Sequence, residues 1–325
     1  MIIDRSQVKR ILVITLSNVG DIILTTPVIR TLALEFPDAR IDVMAGPKGK
    51  DMFSHDPRIF KFIAYDKHMP VSEKRRLQLK LKKLKYDLVV DLRNTVFPLL
   101  IGPKFRTATI QRFPKHVIHS TEKHLCRIKT LGIKNLEKKS YLHITKEDEE
   151  YIEKLLKESG IADPIVVVNP GAKSHLKRWD PAGFADLCDS LVRECKVNIV
   201  FTGVAEDEEI VKNVIKNMKN VSYSLVNKTN IRQLGGLLKR ARLLVTNDSA
   251  PLHLSCAVGT KVLAIFGPTD PRKYGPTGEF DVVINKKLSC SPCESATCKY
   301  NYECMKLISP GDVFDAARMM VEGYE

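Results

Sequence analysis

Short apolar runs alternate with amphipathic stretches along most of this chain. Residues 9–16 (KRILVITL) read as a buried strand and residues 21–34 as the helix that follows it. Residues 41–44 and 87–91 (DLVVD) read as further strands, with a helix over 75–85 between them. Residues 102–146 have no clear period. They are basic and rich in His and Pro, the composition of loops and short helices. A helix over 147–158 stops at Gly160, and Asp163-Pro164 breaks the chain before the next apolar run. The second half repeats the order: strand 165–169, helix 181–195, strand 197–201, helices 206–218 and 230–239, strand 243–245, helix 250–257 and strand 262–266. Strands that are apolar throughout and separated by helices belong to parallel sheets covered on both faces. The pattern predicts an α/β chain of two Rossmann-like domains, residues 1–160 and 161–325, with a cleft between them.

A chain of 325 residues has length for two cores. No run approaches the roughly 18 apolar residues of a membrane helix, and the first apolar run is too short for a signal peptide, so a cytoplasmic protein is expected. The net charge of +14 is unevenly placed: residues 1–160 hold 31 Lys and Arg against 19 Asp and Glu, residues 161–325 hold 21 against 19. A one-sided basic half implies an anionic partner: nucleic acid, an acidic lipid surface or an acidic substrate. Within it, residues 74–85 (KRRLQLKLKKLK) place Leu77, Leu81 and Leu84 at helical spacing. A solvated helix face and a membrane-contacting basic helix both fit that pattern. Against nucleic acid, the basic half has no interleaved aromatic platform and no recognisable binding module.

Three polar turns follow predicted strands. In residues 243–271 (LLVTNDSAPLHLSCAVGTKVLAIFGPTDP), Asn247, Asp248 and Ser249 stand between a strand and a helix. The unpaired N–H groups and positive dipole of a helix start suit a phosphorylated ligand, and Asp and Ser are equally at home there as ordinary N-caps. In residues 169–179 (NPGAKSHLKRW), Lys173, Lys177 and Arg178 bring cations to the same strand-end rim, as a diphosphate site needs. The sole Trp, Trp179, fits packing better than base stacking. In residues 16–30 (LSNVGDIILTTPVIR), Gly20 permits a tight turn and Asp21 offers a carboxylate that could take a proton from a substrate hydroxyl, or cap the helix. The positive helix end opposes proton uptake there, and exclusion of water favours it. No G-x-G-x-x-G follows any strand, which argues against a nicotinamide dehydrogenase.

Taken in order, LSNVGDIILTTPVIRTL, NPGAKSHLKRWDPAGFADL, TGVAEDEE and TNDSAPLHLSCAVGTKVLAIFGPTDP resemble glycosyltransferase family 9, the lipopolysaccharide core heptosyltransferases, over nearly the whole chain. The resemblance implies a GT-B fold, with the acceptor on the first domain and the sugar nucleotide on the second. It implies inverting transfer of a heptose from ADP-heptose, by an enzyme working as a monomer at the cytoplasmic face of the inner membrane on an anionic, lipid-linked saccharide. Under it, Asp21 is the general base, and Lys177 neutralises the departing diphosphate. Asp248, Ser249, Ala250, Pro251, Leu252 and His253 form the donor loop, supported by Gly171 and Lys173. One of Glu206, Asp207 and Glu208 holds the ribose. Asn18, Gly20, Arg93 and Asn94 lie on the acceptor side. No cofactor is required, in keeping with the lack of an Asp-x-Asp pair for a divalent ion. A sugar-nucleotide epimerase of similar fold and a non-catalytic nucleotide- or nucleic-acid-binding protein are the alternatives.

Four of the 8 cysteines crowd into residues 290–304: Cys290, Cys293, Cys298 and Cys304. C-x2-C is a zinc-like spacing, whereas the following C-x4-C and C-x5-C are unusual for a zinc ribbon. A structural zinc, free thiols and disulfides all stay open, with disulfides least suited to a cytoplasmic chain.

Overall fold

A computed structural model describes residues 3–323. The chain divides into two compact units, one ending at His143 and the other beginning at Ile144.

The first unit runs β1 (Arg10–Ile14), α1 (Val19–Ile23), α2 (Thr26–Glu35), β2 (Arg40–Ala45), α3 (Lys50–Phe53), β3 (Lys61–Ala64), α4 (Val71–Lys83), β4 (Leu88–Asp91), α5 (Phe97–Ile101), β5 (Phe105–Arg106) and α6 (Ser120–Lys129). Its five strands lie in the order β3-β2-β1-β4-β5, and every pairing is parallel. Chain order reverses between β1 and β4, where Ile14 pairs with Asp91. Ligands of such sheets sit beyond the carboxyl ends at that point. The helix expected over 21–34 is two helices. The Thr25 hydroxyl donates to the Ile22 carbonyl at 2.6 Å and ends α1, and Pro27 sits in the first turn of α2, where its missing N–H costs nothing.

The second unit runs α7 (Lys146–Glu158), β6 (Ile165–Asn169), α8 (Pro181–Cys195), β7 (Asn198–Phe201), α9 (Glu208–Asn217), β8 (Tyr223–Ser224), α10 (Ile231–Arg240), β9 (Leu243–Asn247), α11 (Ala250–Val258), β10 (Val262–Phe266), α12 (Pro271–Tyr274), β11 (Val282–Asn285), α13 (Glu303–Lys306) and α14 (Pro310–Glu322). Six parallel strands lie in the order β11-β10-β9-β6-β7-β8, so this sheet reverses between β6 and β9. Val166, Val168, Leu243, Val245, Leu263 and Ile265 of the central strands are buried in one core with α8 and α14.

The boundary expected after residue 160 moves to 143/144, because α7 belongs to the second unit. Thr145 and Asp148 cap its start reciprocally. The helix then packs on α10, where Arg232 Nε meets Asp148 Oδ2 at 2.7 Å and the two side chains are 12% and 4% exposed. The shift sharpens the charge asymmetry. The chain up to His143 holds 28 Lys and Arg against 13 Asp and Glu, a net of +15, and the remainder holds 24 against 25, a net of −1.

Two buried amides stitch the second unit's reversal point. Asn169, at the end of β6, donates from Nδ2 to the Thr202 carbonyl at 2.9 Å and accepts from Ser249 Oγ at 3.3 Å. Asn247, at the end of β9, accepts the Trp179 N–H at 3.0 Å and donates to the Pro170 carbonyl at 2.8 Å. Trp179 is itself buried, donating from its indole to the Ile308 carbonyl at 3.0 Å and meeting Phe184 edge-on at 5.0 Å. It is a packing residue, as expected.

These contacts make stability testable at two places. Asp148→Ala removes the carboxylate that Arg232, Thr145 and the start of α7 share in a nearly closed site and should cost about 3–5 kcal/mol, read as a lower midpoint in urea. Burial works to raise the pKa of Asp148, but hydrogen bonds from Arg232 and Thr145 outweigh it and hold the carboxyl below its ordinary range. Its contribution is therefore present above pH of about 4 and lost as pH falls through the lower folded-state value, so the wild-type advantage should shrink on acidification. Asn247→Ala leaves a buried N–H and a buried carbonyl unpaired, at roughly 1–3 kcal/mol each. Calorimetry should show a melting point lower by about 5 °C or more. The emission of Trp179, the only tryptophan, should move to the red.

Candidate active site

At the first unit's rim, the segment after β1 carries Asn18 and Asp21. Asn18 is exposed and donates from Nδ2 to Asp21 Oδ2 at 3.0 Å, leaving Asp21 half-buried in the first turn of α1. That hydrogen bond fixes the direction of the carboxylate. Gly20 lies inside α1 without a positive φ, so the tight turn expected of it is instead an ordinary helix start.

At the end of β4, Asp91 is only 1% exposed. It accepts the N–H groups of Arg93 at 2.8 Å and Thr95 at 2.6 Å and the Thr95 hydroxyl at 2.9 Å, organising the loop that bears Arg93 and Asn94. Asn94 takes the left-handed conformation, with φ of 59°, and is exposed. With the Asp91 oxygens spent on its own loop, neither Arg93 nor Arg127 forms an ion pair with it. Arg93 Nη1 is buried and unpaired, with the guanidinium over the Tyr65 ring at 5.4 Å.

Arg127, on α6, joins them although no sequence motif marks it. It is 5% exposed, its Nε and Nη1 are buried without partners, and it stacks on Phe113 at 5.3 Å. Burial pushes its guanidinium below the usual range against the opposing pull of Asp91. His124, three residues earlier, is pushed down to about 4 by burial and by Arg127, and its Nδ1 is also unpaired. A buried guanidinium without a carboxylate is costly, and an anion supplied from outside would offset that cost. The only sequence signal was the basic, His-rich character of its segment.

The second unit's rim brings Lys177 and Asp248 together: Nζ lies 2.6 Å from Oδ2, with the side chains 32% and 7% exposed. Asp248 thus pairs directly with the lysine and fixes where its ammonium stands. Ser249 precedes α11, its hydroxyl 3.0 Å from that of Thr246 and turned toward Asn169. At the start of α11, Pro251 has no N–H and the Leu252 N–H donates to the Ser249 carbonyl at 3.2 Å, which leaves the N–H of Ala250 outside the helix's own bonds. Ala250 and Pro251 form that first turn, half-buried, and His253 is buried behind them. Leu252 is wholly buried among Val262, Ala264 and Phe266, so it anchors the loop and offers no side-chain surface to a ligand. Lys173 is exposed, whereas Arg178 folds back to donate to the Ala172 carbonyl at 2.9 Å.

The acidic turn resolves into three different residues. Asp207 closes against Gly171 and Gly203, where any added Cβ would collide with it, and accepts the Val204 N–H at 3.1 Å. Glu208 pairs with Lys212 at 3.0 Å on the solvent face, and Glu206 is exposed.

The cysteine segment buttresses this rim. The N–H groups of Cys293 and Glu294 donate to the Pro268 carbonyl at 3.0 and 2.8 Å, and the Ser291 hydroxyl donates to the Gly267 carbonyl at 2.6 Å. Tyr302 meets His175, beside Lys177, edge-on at 6.0 Å. All four cysteines are free thiols. Cys298 Sγ accepts the N–H groups of Tyr300 and Tyr302 at 3.4 and 3.3 Å, and burial followed by the neighbouring thiols pushes Cys304 up. Among the described residues no three His, Cys, Asp or Glu side chains come together so as to hold a metal ion.

With this geometry in place, the relatives of the chain are informative. A model of glycosyltransferase family 9 (heptosyltransferase) matches residues 103–303. Lipooligosaccharide heptosyltransferase 2 of Campylobacter jejuni subsp. jejuni serotype O:2 is 28% identical over 312 residues, 93% of this chain and 95% of that protein. Among solved structures, a family 9 glycosyl transferase from Veillonella parvula DSM 2008 superposes with a TM-score of 0.85 at 23% identity, over 97% of this chain and 98% of that one. The E. coli ADP-heptose lps heptosyltransferase II superposes with a TM-score of 0.79 at 23% identity, over 96% and 98%. Both likenesses are of fold, two Rossmann-like units of the GT-B type. The chain belongs to glycosyltransferase family 9, the heptosyltransferases.

Proposed function

We propose that the protein is an inverting glycosyltransferase that moves a heptose from ADP-heptose to an anionic, lipid-linked saccharide of the lipopolysaccharide inner core, at the cytoplasmic face of the inner membrane. The observation that carries this reading is the Lys177–Asp248 pair at the start of α11. A lysine oriented by a carboxylate, next to the positive end of a helix dipole, matches the demand of a diphosphate whose charge grows as the glycosidic bond breaks. Family membership and the heptosyltransferase relatives support the choice of sugar.

The roles follow from chemistry. The second unit holds the donor: Lys177 and the α11 start take the diphosphate, and the acidic turn around Asp207 takes the ribose. The first unit holds the acceptor, with Arg93 and Arg127 receiving its carboxylate or phosphate. Asp21, steadied by Asn18, accepts the proton of the acceptor hydroxyl as that oxygen attacks the anomeric carbon opposite the departing ADP. One bond forms and one breaks with inversion, and the proton ends on Asp21. The chain's own residues account for each of these steps. An epimerase would have no use for a first unit with net charge of +15, counted as 28 basic against 13 acidic residues.

Thermal shift against ADP-, GDP-, UDP- and dTDP-sugars tests the donor assignment. ADP-heptose at about a hundred times its Kd should stabilise the protein by about 2.7 kcal/mol, and an equal response to all four nucleotides would refute the donor reading. Asp21→Asn should bind ADP as the wild type does while kcat falls about 10²–10⁴-fold. Retained turnover would remove Asp21 from the mechanism. Arg127→Met should raise the acceptor KM with little change in kcat. Its melting point should stay level or rise, since an apolar isostere replaces an unpaired buried charge.

A further inference from the structure

The first unit presents a face that the transfer chemistry does not use. α4 carries Lys74, Arg75, Arg76, Lys80, Lys82 and Lys83 against Glu73 alone. The ion pairs of this unit lie elsewhere, at Arg5, Lys9, Arg30 and Arg58, and none involves these six cations among the described residues. The inner side of α4 is anchored: Leu77, Leu81 and Leu84 pack into the core with Phe97 and Ile101 of α5. The two helices therefore lie side by side on one face of the sheet. Beside the cations stand large apolar side chains with nothing over them: Val96 is 60% exposed, Leu99 50%, Leu100 44%, and Leu79 of α4 50%. Between α4 and the edge strand β3 runs a groove of about 250 Å³, apolar along Ile63, Leu77 and Leu81, with Lys61 and Lys80 on its lining.

We propose that this face, α4 with the outer side of α5, docks the protein on an anionic bilayer. Unpaired cations next to protruding aliphatic side chains are the two signals that together hold a protein at a charged membrane, where either alone binds weakly. Lysines beside an apolar groove suit an anionic amphiphile for the same reason. Nucleic acid would match the charge but not the apolar part, because Val, Leu and Leu offer no stacking surface to a base. The position of the face also fits, since α5 begins directly after the Asp91-to-Thr95 loop that holds Arg93. A protein docked there meets lipid-borne saccharides beside its anion-binding arginines. The inference rests on the proposed lipid-linked acceptor for its purpose, but not for its measurement.

Flotation with vesicles of phosphatidylcholine alone, and with about a third phosphatidylglycerol, reads the docking directly. Wild type should float with the anionic vesicles only, and high salt should weaken that binding about tenfold or more. L99S/L100S and K80Q/K82Q/K83Q, all exposed positions, should each lose about tenfold or more in vesicle binding. Both should keep the wild-type melting point and the wild-type ADP-induced thermal shift. Wild-type vesicle binding in both variants would overturn the proposal, as would tighter retention of wild type by duplex DNA than by anionic vesicles. Failure of wild type to transfer heptose to a delipidated saccharide would count against the proposed reaction and leave the flotation result to decide the docking face.

Discussion

Two buried asparagines at the second unit's sheet reversal hold the loops of its rim in place. Asn247 and Asn169 sit at the ends of adjacent strands, and each spends its side-chain amide on the backbone of a loop that has no secondary structure of its own. An amide that is both donor and acceptor can tie two chain segments at once, and in a closed site neither bond can be exchanged for water without penalty. Through Pro170 and Trp179 the first of them pins both ends of the loop that carries Lys177. Through Thr202 and Ser249 the second ties the turn before the acidic residues to the start of α11. Trp179 adds weight, with its backbone on Asn247 and its indole locked into the core under α14. The rim is therefore set before any ligand arrives, which is what preorganised stabilisation of a leaving group demands.

The first unit is organised on the opposite principle. Its central acid, Asp91, is satisfied by its own loop, and the surrounding cations are left over. Arg93 and Arg127 hold buried nitrogens that no protein group completes. Such an arrangement is poor for stability and good for capturing an anion, since the cost of desolvating the arginines is already met by the fold. Moving α7 to the second unit brings the same point out at the scale of the whole chain. The acidic start of that helix had masked how basic the first unit is, and without it almost the entire positive excess lies on one side.

Much of this was legible in the residues because buried parallel strands are apolar throughout: β6, α8 and β10 have the expected limits, and the polar turns after β1, β6 and β9 announced the rims. Edge strands escaped. β3 reads KFIA with both ends exposed, and β5 and β8 are two residues each, too short for any period to show. The helix over 310–322 and the strand over 282–285 also went unseen, the latter only partly buried at the sheet margin. Arg127 could not have been found by pattern, since a lone arginine in a basic segment looks solvated. Its meaning comes from burial, which only the tertiary fold supplies. Leu252 shows the converse, a residue inside a motif whose side chain serves the core.

In the proposed reaction, the pairing of Lys177 with Asp248 lets one rim wait for an anion and then release it. A lone lysine on this rim would wander with its four-carbon stem, and holding it still would cost rotamer entropy at the moment of binding. Asp248 meets that cost in the folded state. Asp248 is 7% exposed against 32% for the lysine, so the ammonium is the more accessible of the two charges. Its negative charge also tempers the attraction for the ground-state diphosphate. As the bond to the sugar breaks, the diphosphate of that reaction gains charge, and the lysine that meets it directly gains more in attraction than a carboxylate held on the lysine's far side gains in repulsion. The pair therefore favours the transition state over the bound donor, which is the only kind of binding that raises turnover.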